Sequence, residues 1–376
     1  MVAGLPIDAG STCQRISFDT LANWTDDDHG IALQAFQQSA ALINQNSLNF
    51  AKRPTFAGVR DDWLPVAEAS LQTIAQQNPR GFFETNFIPF KVTDPHRPNG
   101  MFTGYFEPVV KGSRNHSVDF PVPVYGKPHD LVVFDATESR TTGVAFGKRS
   151  ASGPRPYDTR AEIESGSLSG QGLEICWLSD WINAFFMHIQ GSGRVQLEDG
   201  ASLRLTYAAK SGHPYVAIGS VLLERGQLTR ENLSMQSLIA WMIANPGESR
   251  ALMWQNPSYI FFSEMPETPD GLGAIGAGKV HLMPQRSLAI DASHYLYGTP
   301  LWLETTTPPE APGGRQVFNR LMIAQDTGSA IRGLLRGDVY WGWGDAAAMI
   351  AGHMKSPGRM TALLPIPVVQ RLGLLR

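Results

Sequence analysis

The last third of the chain is a succession of short apolar runs: RSLAIDAS (286–293), PLWLETT (300–306), FNRLMIAQD (318–326), RGDVYWGWG (336–344) and RMTALLP (359–365). Each is too short for an ordinary helix, rich in branched or aromatic residues, and set off by glycine, proline or a small polar residue, which is the pattern of strands. The middle of the chain repeats it in FIPFKVTD (87–94), MFTGYFEPVVKGS (101–113), FPVPVYG (120–126), HDLVVFD (129–135), FFMHIQGSGRVQLEDG (185–200), ASLRLTYAA (201–209) and SYIFFSE (258–264). Asp199-Gly200, between two alternating runs, predicts a hairpin. The 37 glycines and 26 prolines fit a chain that turns this often.

Helical spacing is confined to a few stretches. Residues 26–45 place Ile31, Ala35, Phe36, Ala40 and Ile43 on one face, with Thr25 as the expected N-cap and Asp26 to Asp28 in the first turn. A second helix is expected over 63–77, with Pro65 near its start, and a third over 79–87; together they read as an N-terminal helical cap. SMQSLIAWMIANPG is a helix stopped by Asn245-Pro246-Gly247, and DAAAMIAGHMKSPG (345–358) a short one closed by Pro357-Gly358. No regular alternation of strand and helix occurs, so a doubly wound sheet is disfavoured and a mainly β fold with peripheral helices is expected.

A chain of 376 residues suggests about two domains. A net charge of −3 leaves no basic footprint for nucleic acid. Cys13 and Cys176 match no zinc spacing and are expected to be ordinary thiols. The nine histidines form no metal-binding pair, so neither metal nor cofactor is expected. No apolar run approaches a membrane span, and no signal peptide is visible.

Two familiar patterns fail on context. GLGAIGAGKV (271–280) contains G-x-G-x-x-G and G-x-x-x-x-G-K, but Val280 stands where a magnesium-binding hydroxyl belongs, and no helix is expected to follow; the segment reads as a loop. Asp326-Thr327-Gly328 looks like an aspartic-protease loop, yet that chemistry needs two such loops and the chain has one.

The acids of the C-terminal third carry the chemistry. Asp291 and Asp326 each follow an apolar strand. In a strand through 337–344, Asp338, Tyr340 and Gly342 would share one face, while Val339, Trp341 and Trp343, expected in the core, would share the other.

From PQRSLAIDAS through RMTALLP the chain resembles the three-aspartate (3D) domain of the membrane-bound lytic murein transglycosylase A family. TGYFEP (103–108), FFMHIQGSGRVQL (185–197), AAKSGHPYVAIG (208–219) and NPSYIFF (256–262) match further family motifs in order. The resemblance implies two β domains with a substrate groove between them. One is a double-psi β-barrel from 1–112 and 246–376, with the 3D region at about 284–365; the other is inserted over 113–245. It implies an enzyme that cleaves the β-1,4 bond between N-acetylmuramic acid and N-acetylglucosamine in peptidoglycan without water, leaving 1,6-anhydro-muramyl ends. Asp338 is implied as acid and then base. Asp326 and Asp291 are implied as supporting acids, and Tyr105, Glu107, Gln190, Gly191, Ser192, Gly193 and Tyr340 as substrate-binding residues. Glycan strands are the expected partner, a monomer the expected state, and the periplasm the expected compartment, with outer-membrane association left open. Glycines 333, 337, 342 and 344 are expected to let the sugar approach the backbone. Two alternatives stay open: a hydrolase using Glu107 as second acid, and a non-catalytic wall-binding module.

Overall fold

Strands with alternating or continuous burial dominate, as the branched and aromatic runs require. The computed structural model describes residues 5–6, 12–44, 54, 56–94, 99–266 and 271–374. The chain divides into two compact units: Met1–Phe106 with Asp270–Gly342 and Ala346–Arg376, and Glu107–Pro269 with Trp343–Asp345.

In the first unit, one sheet runs in the order Leu5–Pro6, Thr12–Arg15, Phe87–Thr93, Lys355–Pro365, Pro300–Thr306, Val317–Asp326, Ser287–Ile290, Arg336–Trp343 and Gly100–Glu107. A further pairing of Gly100–Glu107 with Lys355–Pro365 closes the last six into a ring. Ser287–Ile290 lies parallel to Val317–Asp326 and antiparallel to Arg336–Trp343, opposing Ala289 to Asp338. This short strand is buried throughout, so Asp291 and Asp338 are both carried on a rigid frame.

The N-terminal helices pack on this sheet through Phe36, Trp63 and Phe83 against Phe87, Trp302, Leu321 and Leu363. The first helix spans His29–Asn44, not from Asp26, and Gln45 lies outside the described residues. The aspartates before it have other work. Asp28 Oδ1 accepts from the Gly30 and Ile31 N–H groups and so caps the helix, a role expected of Thr25. Asp27 accepts both terminal nitrogens of buried Arg286, at 2.7 and 2.9 Å, and the Leu321 N–H at 3.0 Å. The second predicted helix divides into Arg60–Ser70 and Thr73–Gln77; the third spans Pro79–Asn86.

In the second unit, a six-stranded sheet runs Ile260–Glu264, Ser202–Lys210, Ser192–Leu197, Val109–Ser113, Glu174–Leu178 and Val122–Tyr125, and a bridge between Gly126 and Phe262 joins its edges. Val110, Val122, Val124, Cys176, Leu178, Val195, Leu203 and Leu205 alternate into its core. The expected hairpin forms: Gln196 opposes Ser202, and Gly200 turns the chain at φ +85°.

Three readings of the sequence need correction. FFMHIQ is not a strand but the end of the helix Trp181–Gln190; Asp180 caps it through the Asn183 N–H, and its burial on two packed faces overrides the strand preference of its aromatics. Pro246 does end the helix Met235–Ala244, but it also starts another, Pro246–Met253, from the first-turn position where its missing N–H costs nothing. Pro357-Gly358 does not close the helix Gly344–His353; both lie inside the strand Lys355–Pro365. Cys13 and Cys176 are both buried free thiols.

Candidate active site

Three strands of the first unit bring two acids and two tyrosines together. Alternation on Gly100–Glu107 turns Thr103 and Tyr105 to one face; alternation on Arg336–Trp343 does the same for Arg336, Asp338 and Tyr340. The Thr103 hydroxyl donates to Asp338 Oδ1, and it receives an N–H from Arg336 Nη2 at 2.8 Å. Tyr105 donates its hydroxyl to Asp326 Oδ2 at 2.9 Å. The Tyr105 and Tyr340 rings lie 5.3 Å apart, in a small cluster with Leu282 and Ala289.

These contacts set the electrostatics. Asp338 keeps some exposed surface but is enclosed by protein on most sides, and burial raises its carboxyl above the usual range. The Arg336 guanidinium and the Thr103 hydroxyl oppose that rise, and the charge of Asp326 adds to it. Asp326 is also pushed up by burial, against hydrogen bonds from the Ala277 and Thr327 N–H groups and Tyr105. Tyr105 is held well above its ordinary value by burial and then by Asp326, so it stays a hydrogen-bond donor. Two neighbouring acids thus lean toward their protonated forms, the condition a general acid needs near neutral pH.

Asp291 has a different setting. Burial raises its carboxyl, but hydrogen bonds from the Gly333 N–H (2.8 Å) and from Ser293 through its hydroxyl (2.7 Å) and N–H (3.0 Å) outweigh that, and the net shift is downward. Its carboxylate ties the turn before Arg336–Trp343 to the end of Ser287–Ile290.

The glycine-rich segment discarded as a nucleotide motif belongs to this site. It folds back on itself, Ile275 bridging His281, with Lys279 at φ +63° in the turn. Ala277 presents its N–H to Asp326 Oδ1 at 2.9 Å, and Gly278 donates to the Gln325 carbonyl. A Cβ on Gly273 would sit 2.2 Å from the Tyr340 hydroxyl, so only glycine lets the segment lie against that ring.

The other glycines serve backbone and packing. Gly333 and Gly342 have φ of +100° and +98°, and Gly344 of +75°. Gly337 is buried, and a Cβ there would meet Leu288 and Phe102 at 3.1 Å. Trp341 is a core residue against Phe318, as expected, but Trp343 is half-buried beneath the Arg194 guanidinium, 3.6 Å from its ring.

The remaining predicted residues lie in the second unit. Glu107 is 1% exposed, and its Oε2 accepts from Arg194 at 3.2 Å and Arg204 at 3.3 Å. Gly191, at φ +79°, ends the helix Trp181–Gln190 and donates to the Met187 carbonyl. Ser192 opens the next strand opposite Thr206, and a Cβ on Gly193 would meet the Met187 thioether. Gln190 is half-buried at the helix end.

Thr103, Arg336 and Ala277 were not anticipated. The first two were legible in principle, since each stands two residues before a predicted site residue on the same strand. Ala277 reaches Asp326 through its backbone, which leaves no mark on residue type. No cluster of three or more potential metal ligands occurs among the described residues.

Comparison with known proteins identifies the family. Residues 101–263 match the family model described as the MltA specific insert domain, and 286–364 match the 3D domain. The membrane-bound lytic murein transglycosylase A of Vibrio cholerae serotype O1 is 36% identical over 335 residues, 87% of this chain and 80% of that protein. The crystal structure of a membrane-bound lytic murein transglycosylase from Agrobacterium tumefaciens superposes with a TM-score of 0.85 at 33% identity, covering 96% of this chain and 99% of that one. That of Escherichia coli MltA with bound chitohexaose gives 0.66 at 26% identity, covering 97% and 98%. Two family models in sequence order, and a relative this similar over most of both chains, place the protein in the membrane-bound lytic murein transglycosylase A family.

Proposed function

We propose that the protein is a lytic transglycosylase that cleaves the β-1,4 bond between N-acetylmuramic acid and N-acetylglucosamine in peptidoglycan, with Asp338 as acid and then base. The observation that carries this reading is the enclosed Asp338, raised by burial and held at Oδ1 by Thr103 while Arg336 orients that hydroxyl. Because Thr103 donates to Oδ1, the proton to be given away resides on Oδ2. Asp338 passes it to the bridging oxygen, and the bond from that oxygen to C1 of the muramic acid breaks. Positive charge develops at C1, next to the new carboxylate. The C6 hydroxyl of the same sugar then bonds to C1 and returns its proton to Asp338. No water enters and the acid is regenerated. One carboxyl suffices because the nucleophile is tethered, which is worth an effective molarity of order 10⁵ M when aligned. Asp326 helps to keep Asp338 high, Tyr105 holds Asp326 in place, and Asp291 fixes the turn before the strand.

The first unit is read as the double-psi barrel; its closed ring of six strands supports that assignment. Chitohexaose in the Escherichia coli relative supports a glycan as the ligand. An envelope location follows from the family; among the described residues no helix is long and apolar enough to cross a membrane. The hydrolase alternative needs a second carboxylate, and the one proposed for it, Glu107, is buried against two arginines. Digestion of purified sacculi, followed by mass spectrometry of soluble muropeptides, tests the reading. Products one water lighter than hydrolytic ones and resistant to borohydride are expected; reducible products of full mass would overturn it.

A further inference from the structure

The second unit carries a cleft of about 430 Å³ away from the motif Gln190 to Gly193. Alternation builds one wall. Val122 and Val124 turn into the core, so Pro121 and Pro123 turn out; Cys176 and Leu178 turn in, so Trp177 turns out, paired across the sheet with Pro123. A half-buried tryptophan on the outer face of a strand, rimmed by prolines, is a flat apolar platform that the core does not need. His116 packs edge-on to it, with centroids 4.8 Å apart.

The segment Ile163–Ser167 adds Ile163, Glu164, Ser165 and Gly166 to the lining and reverses at Gly166 with φ +103°. Tyr125 and Ser169, hydrogen-bonded to each other, add two hydroxyls. Trp181 also lines the cleft. It is the first residue of the helix that Gln190 ends, which puts the cleft about 14 Å from that motif at 1.5 Å per residue.

Charge decides the ligand class. The acid of the lining, Glu164, is engaged by Arg160 (3.0 Å), by Arg250 (3.3 Å) and by the Trp254 indole (2.8 Å). Arg250 is in turn stacked 3.6 Å over Trp181. The cleft therefore offers aromatic faces and hydroxyls around an acid already paired with two arginines that are not themselves in its lining. The Arg250 guanidinium is taken up by Glu164 and by the Trp181 ring, so the lining presents chiefly aromatic faces and hydroxyls; a neutral pyranose has an apolar C–H face for Trp177 and hydroxyl or acetamido groups for Ser165, Ser169 and His116.

We propose that this cleft is an accessory saccharide site that takes an N-acetylhexosamine ring of a glycan, in addition to the ring bound for cleavage. It holds the polymer between catalytic events. The inference rests on the reading of the protein as a peptidoglycan enzyme.

Calorimetric titration of the full-length Asp338→Asn protein with chitohexaose tests it. Two classes of site are expected. In Asp338→Asn/Trp177→Ala the weaker class is expected to lose about tenfold or more in affinity, the loss of one stacked ring, while the other is unchanged. Asp338→Asn/Trp177→Phe, which keeps an aromatic face, should retain both classes and show that the loss is not a folding defect. A single class in all three proteins, or two classes indifferent to Trp177→Ala, would overturn the accessory site. Neither result bears on the muropeptide masses, so the cleavage chemistry and the cleft fail separately.

Discussion

Asp338 and Glu107 are both enclosed carboxyls on strands, and they are held in opposite ways. Asp338 meets one hydroxyl at Oδ1, and the nearby Arg336 is turned toward that hydroxyl and the backbone carbonyls of Met101 and Gly337. Glu107 meets two guanidiniums directly. The first arrangement leaves a carboxyl that can exchange a proton; the second makes a structural tie across Ser192–Leu197 and Ser202–Lys210. Residue type and burial do not separate the acid proposed as catalytic from the one proposed as structural. The immediate partners do.

The largest test of the contrast is to remove each acid in turn. Asp338→Asn should lower turnover on sacculi by about 10³-fold or more, read as release of anhydro-muropeptides. It should also raise the melting temperature at neutral pH. Folding holds this carboxyl up, so its ionised form costs stability at neutral pH; the cost starts to shrink as pH falls below the raised value and is gone below the ordinary carboxylate value. The gain from asparagine should therefore shrink on acidification; a gain that grew would contradict the environment described for Asp338. Glu107→Gln should do the reverse. It leaves two largely buried arginines without their anion and should destabilise by about 3 kcal/mol in denaturant titration, while the folded protein still makes anhydro products. Loss of chemistry with stability intact would instead give Glu107 a catalytic part.

A smaller effect is expected at Gly273. Alanine there drives a methyl into the Tyr340 hydroxyl and should cost about 1–3 kcal/mol, with slower turnover because Ala277 no longer meets Asp326 squarely. Unchanged stability would mean that the segment can move aside. The finest test concerns pH. Arg336 opposes the raised state of Asp338, so Arg336→Gln should move the alkaline limb of activity to higher pH. Asp326 supports it, so Asp326→Asn should move that limb lower. Shifts in the same direction for both variants would show that Asp338 does not set the limb.

Much of this was legible in the residues. Short branched runs, Asp199-Gly200 and the stop at Asn245-Pro246 act locally, through backbone sterics and hydrogen bonds within a few residues, and each produced the expected element or turn. Alternation on RGDVYWGWG places Asp338 and Tyr340 with the site and Trp341 in the core, because strand geometry needs no distant partner to decide which way a side chain turns. Where local preference and packing disagreed, packing won: FFMHIQ is strand-like in composition and helical in place.

The sequence by itself determined the β-rich architecture and the carriers of the acids, because periodicity and residue type are local properties of a chain, and the resemblance of its ordered motifs pointed to the family. Tertiary structure alone decided which acid meets a hydroxyl and which meets two arginines, and that a discarded glycine-rich loop supplies an N–H to Asp326. Those contacts join residues up to 235 positions apart. The enclosure that raises a carboxyl is made by all the segments around it, so no single stretch of sequence contains it.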